Sequence, residues 1–124
     1  QLLLSGVDRL QREDAGVQST LPEIENHIIH HIGEKITVED LARVMHLSAT
    51  RFLHLFKELY GVSPIQYVIR RKLDRAAYLL LYSDLTVTQI GEQLGFSSQS
   101  HFSALFAKKW GCYPSQYRRK QRKG

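Results

Sequence analysis

Apolar side chains recur three and four residues apart through most of this sequence, the spacing that gives a helix one buried face. Ile24, Ile28, Ile29 and Ile32 form the first stripe, opened by Leu21-Pro22 and ended by Gly33. Leu41, Val44 and Met45 form the second, behind Thr37 as cap with Asp40 three residues on. Ser48 caps a third helix with Phe52, Leu55, Phe56 and Leu59 on one side, and Gly61 stops it. Ser63-Pro64 opens a long helix to about Tyr82 with no internal Gly or Pro; its stripe is Ile65, Val68, Ile69, Leu73, Ala76 and Leu80. Thr86 caps a helix with Val87, Ile90 and Leu94 inward, and Gly95 makes a turn. Ser97 or Ser98 caps the next, with Phe102, Leu105, Phe106 and Trp110 inward, until Gly111. Pro114 opens a short last helix containing Tyr117. Nothing alternates with the two-residue period of a strand, so the pattern predicts an all-α fold of about seven helices. Near the N-terminus Leu3, Val7 and Leu10 fall at helical spacing, and Glu13-Asp14-Ala15-Gly16 breaks the run.

The pattern is written twice. Shifted by 49, Thr37-Val38 falls on Thr86-Val87, Leu41 on Ile90 and Met45 on Leu94. Shifted by 50 beyond the turn, Phe52, Leu55, Phe56, Gly61, Pro64, Gln66 and Tyr67 fall on Phe102, Leu105, Phe106, Gly111, Pro114, Gln116 and Tyr117. The extra residue sits in the turn, where insertion costs least. Each copy is a helix, a short turn and a second capped helix, the helix-turn-helix outline whose second helix enters the major groove of DNA. One such outline is a weak signal. Two at fixed spacing, each ending in Gly-x-x-Pro-x-Gln-Tyr, form a specific one.

These residues resemble the DNA-binding domain of the AraC/XylS family of bacterial regulators, over residues 21–120 or so. The match is densest in Ile90-Gly91, Gly95-Phe96, Gln99, Phe102-Ser103, Phe106, Gly111, Pro114 and Tyr117-Arg118. The resemblance implies seven helices, two recognition helices, a linker helix and no catalysis. It divides the chain into a remnant or linker (1–20), a first helix-turn-helix subdomain (21–62), the linker helix (63–83) and a second subdomain with a basic tail (84–124). It also implies double-stranded DNA and RNA polymerase as partners, and activation rather than repression. The chain departs from the family in carrying His46 where a turn glycine is expected. It also has Ala104 and Ala107 where basic residues are frequent.

Composition adds three things. With 124 residues, 43% of them apolar and 23% charged, the chain has the size and balance of one globular domain. No run reaches the roughly 18 apolar residues of a membrane span, and no secretory signal pattern is expected from these residues. The lone Cys112 cannot form an intrachain disulfide, which suits a bacterial cytoplasm. The chain begins with Gln1, so a fragment is expected, with an effector or dimerisation domain upstream.

The charge is lopsided: residues 1–42 carry 3 basic and 8 acidic side chains, net −5, and residues 43–124 carry 14 and 4, net +10. A basic region of this size points to a polyanion, nucleic acid before anionic membrane. Arg118 to Lys123 reads equally as a disordered basic tail. No activated Ser or Cys, carboxylate pair or glycine-rich phosphate loop supports an enzyme, and no cofactor is indicated. His27, His30 and His31 lack an acidic or cysteine partner for a metal.

The candidate DNA-reading residues lie opposite the buried stripes. In the third helix these are Thr50, Leu53, His54 and Lys57, flanked by Arg51. Thr50 and His54 can bond base edges, Arg51 guanine or phosphate, and Lys57 phosphate. In the sixth helix they are Gln99, Ser100, Ser103, Ala104 and Ala107, with His101 beside them; Gln99 suits adenine and Ala104 a thymine methyl. Backbone amides at Ser48, Ser97 and Ser98 can hold phosphates. Arg118 is a further phosphate candidate, as are one or two of Arg70, Arg71, Lys72 and Arg75. The first unit is expected to dominate specificity.

Overall fold

A computed structural model describes residues 22–123. Among them are seven helices and no strand: α1 (22–30), α2 (Val38–Val44), α3 (Ala49–Tyr60), α4 (Pro64–Tyr82), α5 (Val87–Gln93), α6 (Gln99–Trp110) and α7 (Pro114–Lys123). The amphipathic segment expected around Leu3, Val7 and Leu10 lies outside the described residues.

Helix ends fall where side chains can satisfy the free backbone groups of a first turn. The Oγ atoms of Thr37, Ser48, Ser63, Thr86 and Ser98 accept from the amides of Asp40, Arg51, Gln66, Gln89 and His101. Three are reciprocal capping boxes: Asp40, Gln66 and Gln89 reach back to the cap residue's own N–H. Of the two serines considered for α6, Ser98 is the cap.

The Gly-x-x-Pro-x-Gln-Tyr motif has a physical meaning in both copies. Gly61 and Gly111 end α3 and α6 in the left-handed region, at φ 74° and 83°. Pro64 and Pro114 open the following helices. Gln66 and Gln116 accept from the backbone N–H of Ser63 and Tyr113, at 3.2 and 3.1 Å. Tyr67 and Tyr117 meet Phe56 and Phe106 edge-on, at 5.4 Å in both units. His46 takes φ 58° in the first turn, where Gly95 takes φ 76° in the second, so the substitution keeps the backbone path.

Two cores form, and α4 serves both. Ile24, Ile28, Ile36, Leu41, Phe52, Phe56 and Val68 pack in the first. Leu73, Ala76, Leu80, Ile90, Leu94, Phe102 and Phe106 pack in the second. The N-terminal half of α4 thus faces one unit and its C-terminal half the other. Two expected stripe members fall outside. Ile29 is 56% exposed and Ile65 is 37% exposed. Each follows a buried residue (Ile28, Pro64) and is turned about 100° away from it, beyond the narrow row that meets the core.

The basic tail, for which disorder is the alternative reading, is helical and part of α7. Arg118 Nε donates to Leu80 O at 2.9 Å and its Nη2 to Ser83 O at 3.1 Å; Arg122 also donates to Ser83 O. These cations answer carbonyls at the C-terminal end of α4, where the helix dipole favours positive charge.

Candidate nucleic-acid interface

The outward side of α3 is free of tertiary packing. Thr50, Arg51, His54 and Lys57 are exposed, and Leu53 is 39% exposed. Phe52, Leu55 and Phe56, on the opposite side, are buried. Leu53, His54, Lys57, Glu58 and Ser63 line a shallow groove. It sets an apolar side chain beside an imidazole, an ammonium and the Glu58 carboxylate; the first three suit a base edge and its adjoining phosphate.

The equivalent groove on α6 is lined by Gln99, Ser100, Ser103, Ala104 and Tyr113. Ser103 is half-buried and the others are exposed. His101 is exposed beside this groove, edge-on to Phe96 at 6.4 Å. Two of the groups here are not among those expected from sequence. Tyr113 occupies the place of Ser63 and is 56% exposed, bringing a ring and a hydroxyl to the groove. Thr88 Oγ1 donates to Gln99 Oε1 at 2.6 Å, which holds the amide and leaves its NH2 to address a base acceptor. Counting 50 from Ser63 marks Tyr113; nothing short of the fold marks Thr88, eleven residues from its partner.

The caps at Ser48 and Ser98 consume one amide each, at 3.2 and 3.1 Å. Ala49-Thr50 and Gln99-Ser100 follow them in the first turns. Ser97 is exposed and precedes the cap.

Between the two units runs a third groove, lined by Val62, Gln66, Ile69, Arg70 and Leu73 and, from α6, by Leu105, Lys108 and Lys109. Lys109 Nζ is 3.3 Å from Asp74 Oδ1. Arg70 and Lys108 have no acidic partner among the described residues, so two cations stand open in this saddle between α4 and α6.

The other linker-helix cations are engaged elsewhere. Arg71 pairs with Glu25 at 3.0 Å, Lys72 is buried, and the Arg75 guanidinium lies 5.0 Å over the Tyr78 ring. Arg118, expected on phosphate, is turned to the carbonyls of α4, because α7 packs back along that helix. Just after α1, His31 Nδ1 does have an acidic neighbour, Glu34 Oε2 at 3.0 Å. Even so, no group of three metal-ligating side chains comes together among the described residues. No helix there is long and apolar enough to cross a membrane.

A helix-turn-helix domain family model matches residues 41–120. The chain is 39% identical over 94 residues to the probable transcriptional regulator LumQ of Photobacterium leiognathi, covering 76% of this chain and 38% of LumQ. It is 34% identical over 90 residues to the transcriptional activator RclR of Escherichia coli, covering 73% of this chain and 32% of RclR. The chain thus spans about a third of the length of these curated relatives. The crystal structure of the AdpA DNA-binding domain in complex with a target DNA aligns with TM-score 0.77 and 30% identity. That alignment covers 83% of this chain and 93% of that one.

Two repeated helix-turn-helix units on a shared helix define a DNA-binding domain. The chain belongs to the AraC/XylS family of transcription regulators.

Proposed function

We propose that this chain reads double-stranded operator DNA by placing α3 and α6 in adjacent major grooves of one duplex. The observation that carries the reading is the pair of outward faces left unpacked on α3 and α6, with a 19-residue helix between the units. At 1.5 Å per residue that helix is about 28 Å long, close to the roughly 34 Å between successive major-groove faces. The alignment with the DNA-bound AdpA domain supports the same reading, because it extends over both units.

Thr50, Arg51, Leu53 and His54 read base edges in the first half-site, with Lys57 on phosphate. Gln99, Ser100, Ser103, Ala104 and Tyr113 form the second surface, with His101 at its edge. The amides behind Ser48, Ser97 and Ser98 seat phosphates. Arg70 and Lys108 attract the backbone that crosses the saddle. Because the second surface carries no charged side chain, the first sets most of the specificity and the second adds shape readout. The full regulator acts as an activator in the bacterial cytoplasm, contacting RNA polymerase, with an effector or dimerisation domain beyond this region. RclR, itself named an activator, favours that direction.

Footprinting on an operator selected from random DNA tests the reading. Protection over about two helical turns is expected, with log affinity falling linearly against log salt. Arg70→Gln and Lys108→Gln should each flatten that line by about 0.9. Protection of a single half-site would overturn the two-groove reading.

A further inference from the structure

Lys72 is 6% exposed, the one buried charged side chain among the described residues, and no acidic group pairs with it there. Its Nζ donates to Glu34 O at 2.9 Å and to Leu94 O at 2.7 Å. Those carbonyls belong to different units: Glu34 lies in the turn after α1, and Leu94 caps the C-terminus of α5. The ring of Phe96 lies 5.9 Å from the same nitrogen. Burial lowers the Lys72 pKa, as expected of a cation answered by carbonyl dipoles alone.

Around this nitrogen the two backbones touch. A Cβ added to Gly33 would stand 2.5 Å from Gln93 O. A Cβ added to Gly95 would stand 2.8 Å from Gly33 O and 3.2 Å from Lys72 Nζ. Ile32, one residue earlier, packs against both cores. The turn of the first unit therefore rests on the recognition turn of the second, just ahead of α6.

A methionine would fill this space without the desolvation that a buried ammonium suffers. What the ammonium adds is direction, since its donors align with one carbonyl from each unit at once. The α4 helix sets how far apart the units lie but leaves their rotation about it to side contacts.

We propose that Lys72, seated under the Gly33–Gly95 contact, is a positioning residue that locks the rotation of the second helix-turn-helix unit against the first. It thereby fixes the half-site spacing the protein accepts. The proposal rests on the two-groove reading above.

The test uses the selected operator and duplexes with one base pair added or removed between its half-sites, which shifts them by about 3.4 Å and about a tenth of a turn. For each protein, affinity for each duplex is divided by affinity for an isolated half-site, so a uniform loss of folded protein cancels. The wild-type chain should lose about tenfold or more on the altered spacers. Lys72→Met, which keeps the length and removes the donors, should cut that penalty to under about threefold with half-site affinity unchanged. Gly33→Ala, on an exposed turn, should do the same by prising the turns apart while Lys72 stays, and it decides the matter if Lys72→Met fails to fold. Variants that keep the full spacer penalty overturn the positioning role. A wild-type chain indifferent to spacing overturns the two-groove reading itself.

Discussion

The two helix-turn-helix units share a frame and differ in face. Phe52, Phe56, Gly61, Pro64, Gln66 and Tyr67 of the first have counterparts of the same type in the second, and the Tyr67–Phe56 and Tyr117–Phe106 pairs keep the same 5.4 Å ring separation. The outward positions have diverged: Leu53, His54 and Lys57 face Ser103, Ala104 and Ala107 across the repeat. A packed core punishes a change of even one methylene, whereas an exposed side chain is constrained only by what it must touch. The repeat therefore separates what folds the units from what distinguishes their sites.

The most severe way to break the equivalence is to empty one core. Phe52 and Phe102 are fully buried. Replacing either with Ala should cost about 3–5 kcal/mol. Denaturant unfolding followed by helix content would show this, and a cost confined to one of the pair would mean that the two cores are not equivalent.

At the level of readout the units should differ. His54→Ala is expected to lose roughly 1–2 kcal/mol of discrimination at one base pair of the first half-site. Ala104→Gly should change little in the second. Titration against single-base operator variants separates the two; equal losses would erase the proposed division of labour.

The helix stops should respond alike. Gly61 and Gly111 have positive φ, and a Cβ added at either would find nothing within 4 Å, so Ala there meets backbone strain without a clash. A loss of about 1–2 kcal/mol at each site, read from thermal unfolding, is the expected result.

The smallest difference concerns pH. Asp40 and Gln89 fill the same place in their capping boxes, accepting from Thr37 N at 3.0 Å and Thr86 N at 2.8 Å, but only Asp40 titrates. Its carboxyl sits below the ordinary 3.8, held first by the Thr37 backbone N–H and then by the Thr37 hydroxyl, with Arg43 and His27 adding less. The folded value lies below the unfolded one. The stabilisation is therefore present above the unfolded value and fades as pH falls through the folded one. Asp40→Asn should flatten that acid limb of the stability profile; an unchanged limb would assign the acid sensitivity elsewhere.

Most of the frame is legible in the sequence because caps, stops and apolar rows act locally, and writing them twice removes the ambiguity of each. Ile29 and Ile65 mislead because neighbouring apolar residues cannot both meet a narrow core, and periodicity alone does not say which one yields. Lys72 is hidden in a run of cations, Arg70-Arg71-Lys72, that resembles a solvated face; only the meeting of two distant turns above it shows otherwise. Arg118 reads as a DNA contact until its partner carbonyls, 35 and 38 residues earlier, come into view. Tyr113 can be found by counting from the first unit, but its exposure cannot.

The linker helix has no glycine stop of its own: Ser83 ends it in an extended conformation, and the last helix supplies the guanidinium groups that cover Leu80 and Ser83. A protease that clips the chain before Arg118 would do more than strip positive charge from the terminus. It would uncover the far end of the rod on which both readers are mounted, and unwinding would start behind the second unit and work toward its core.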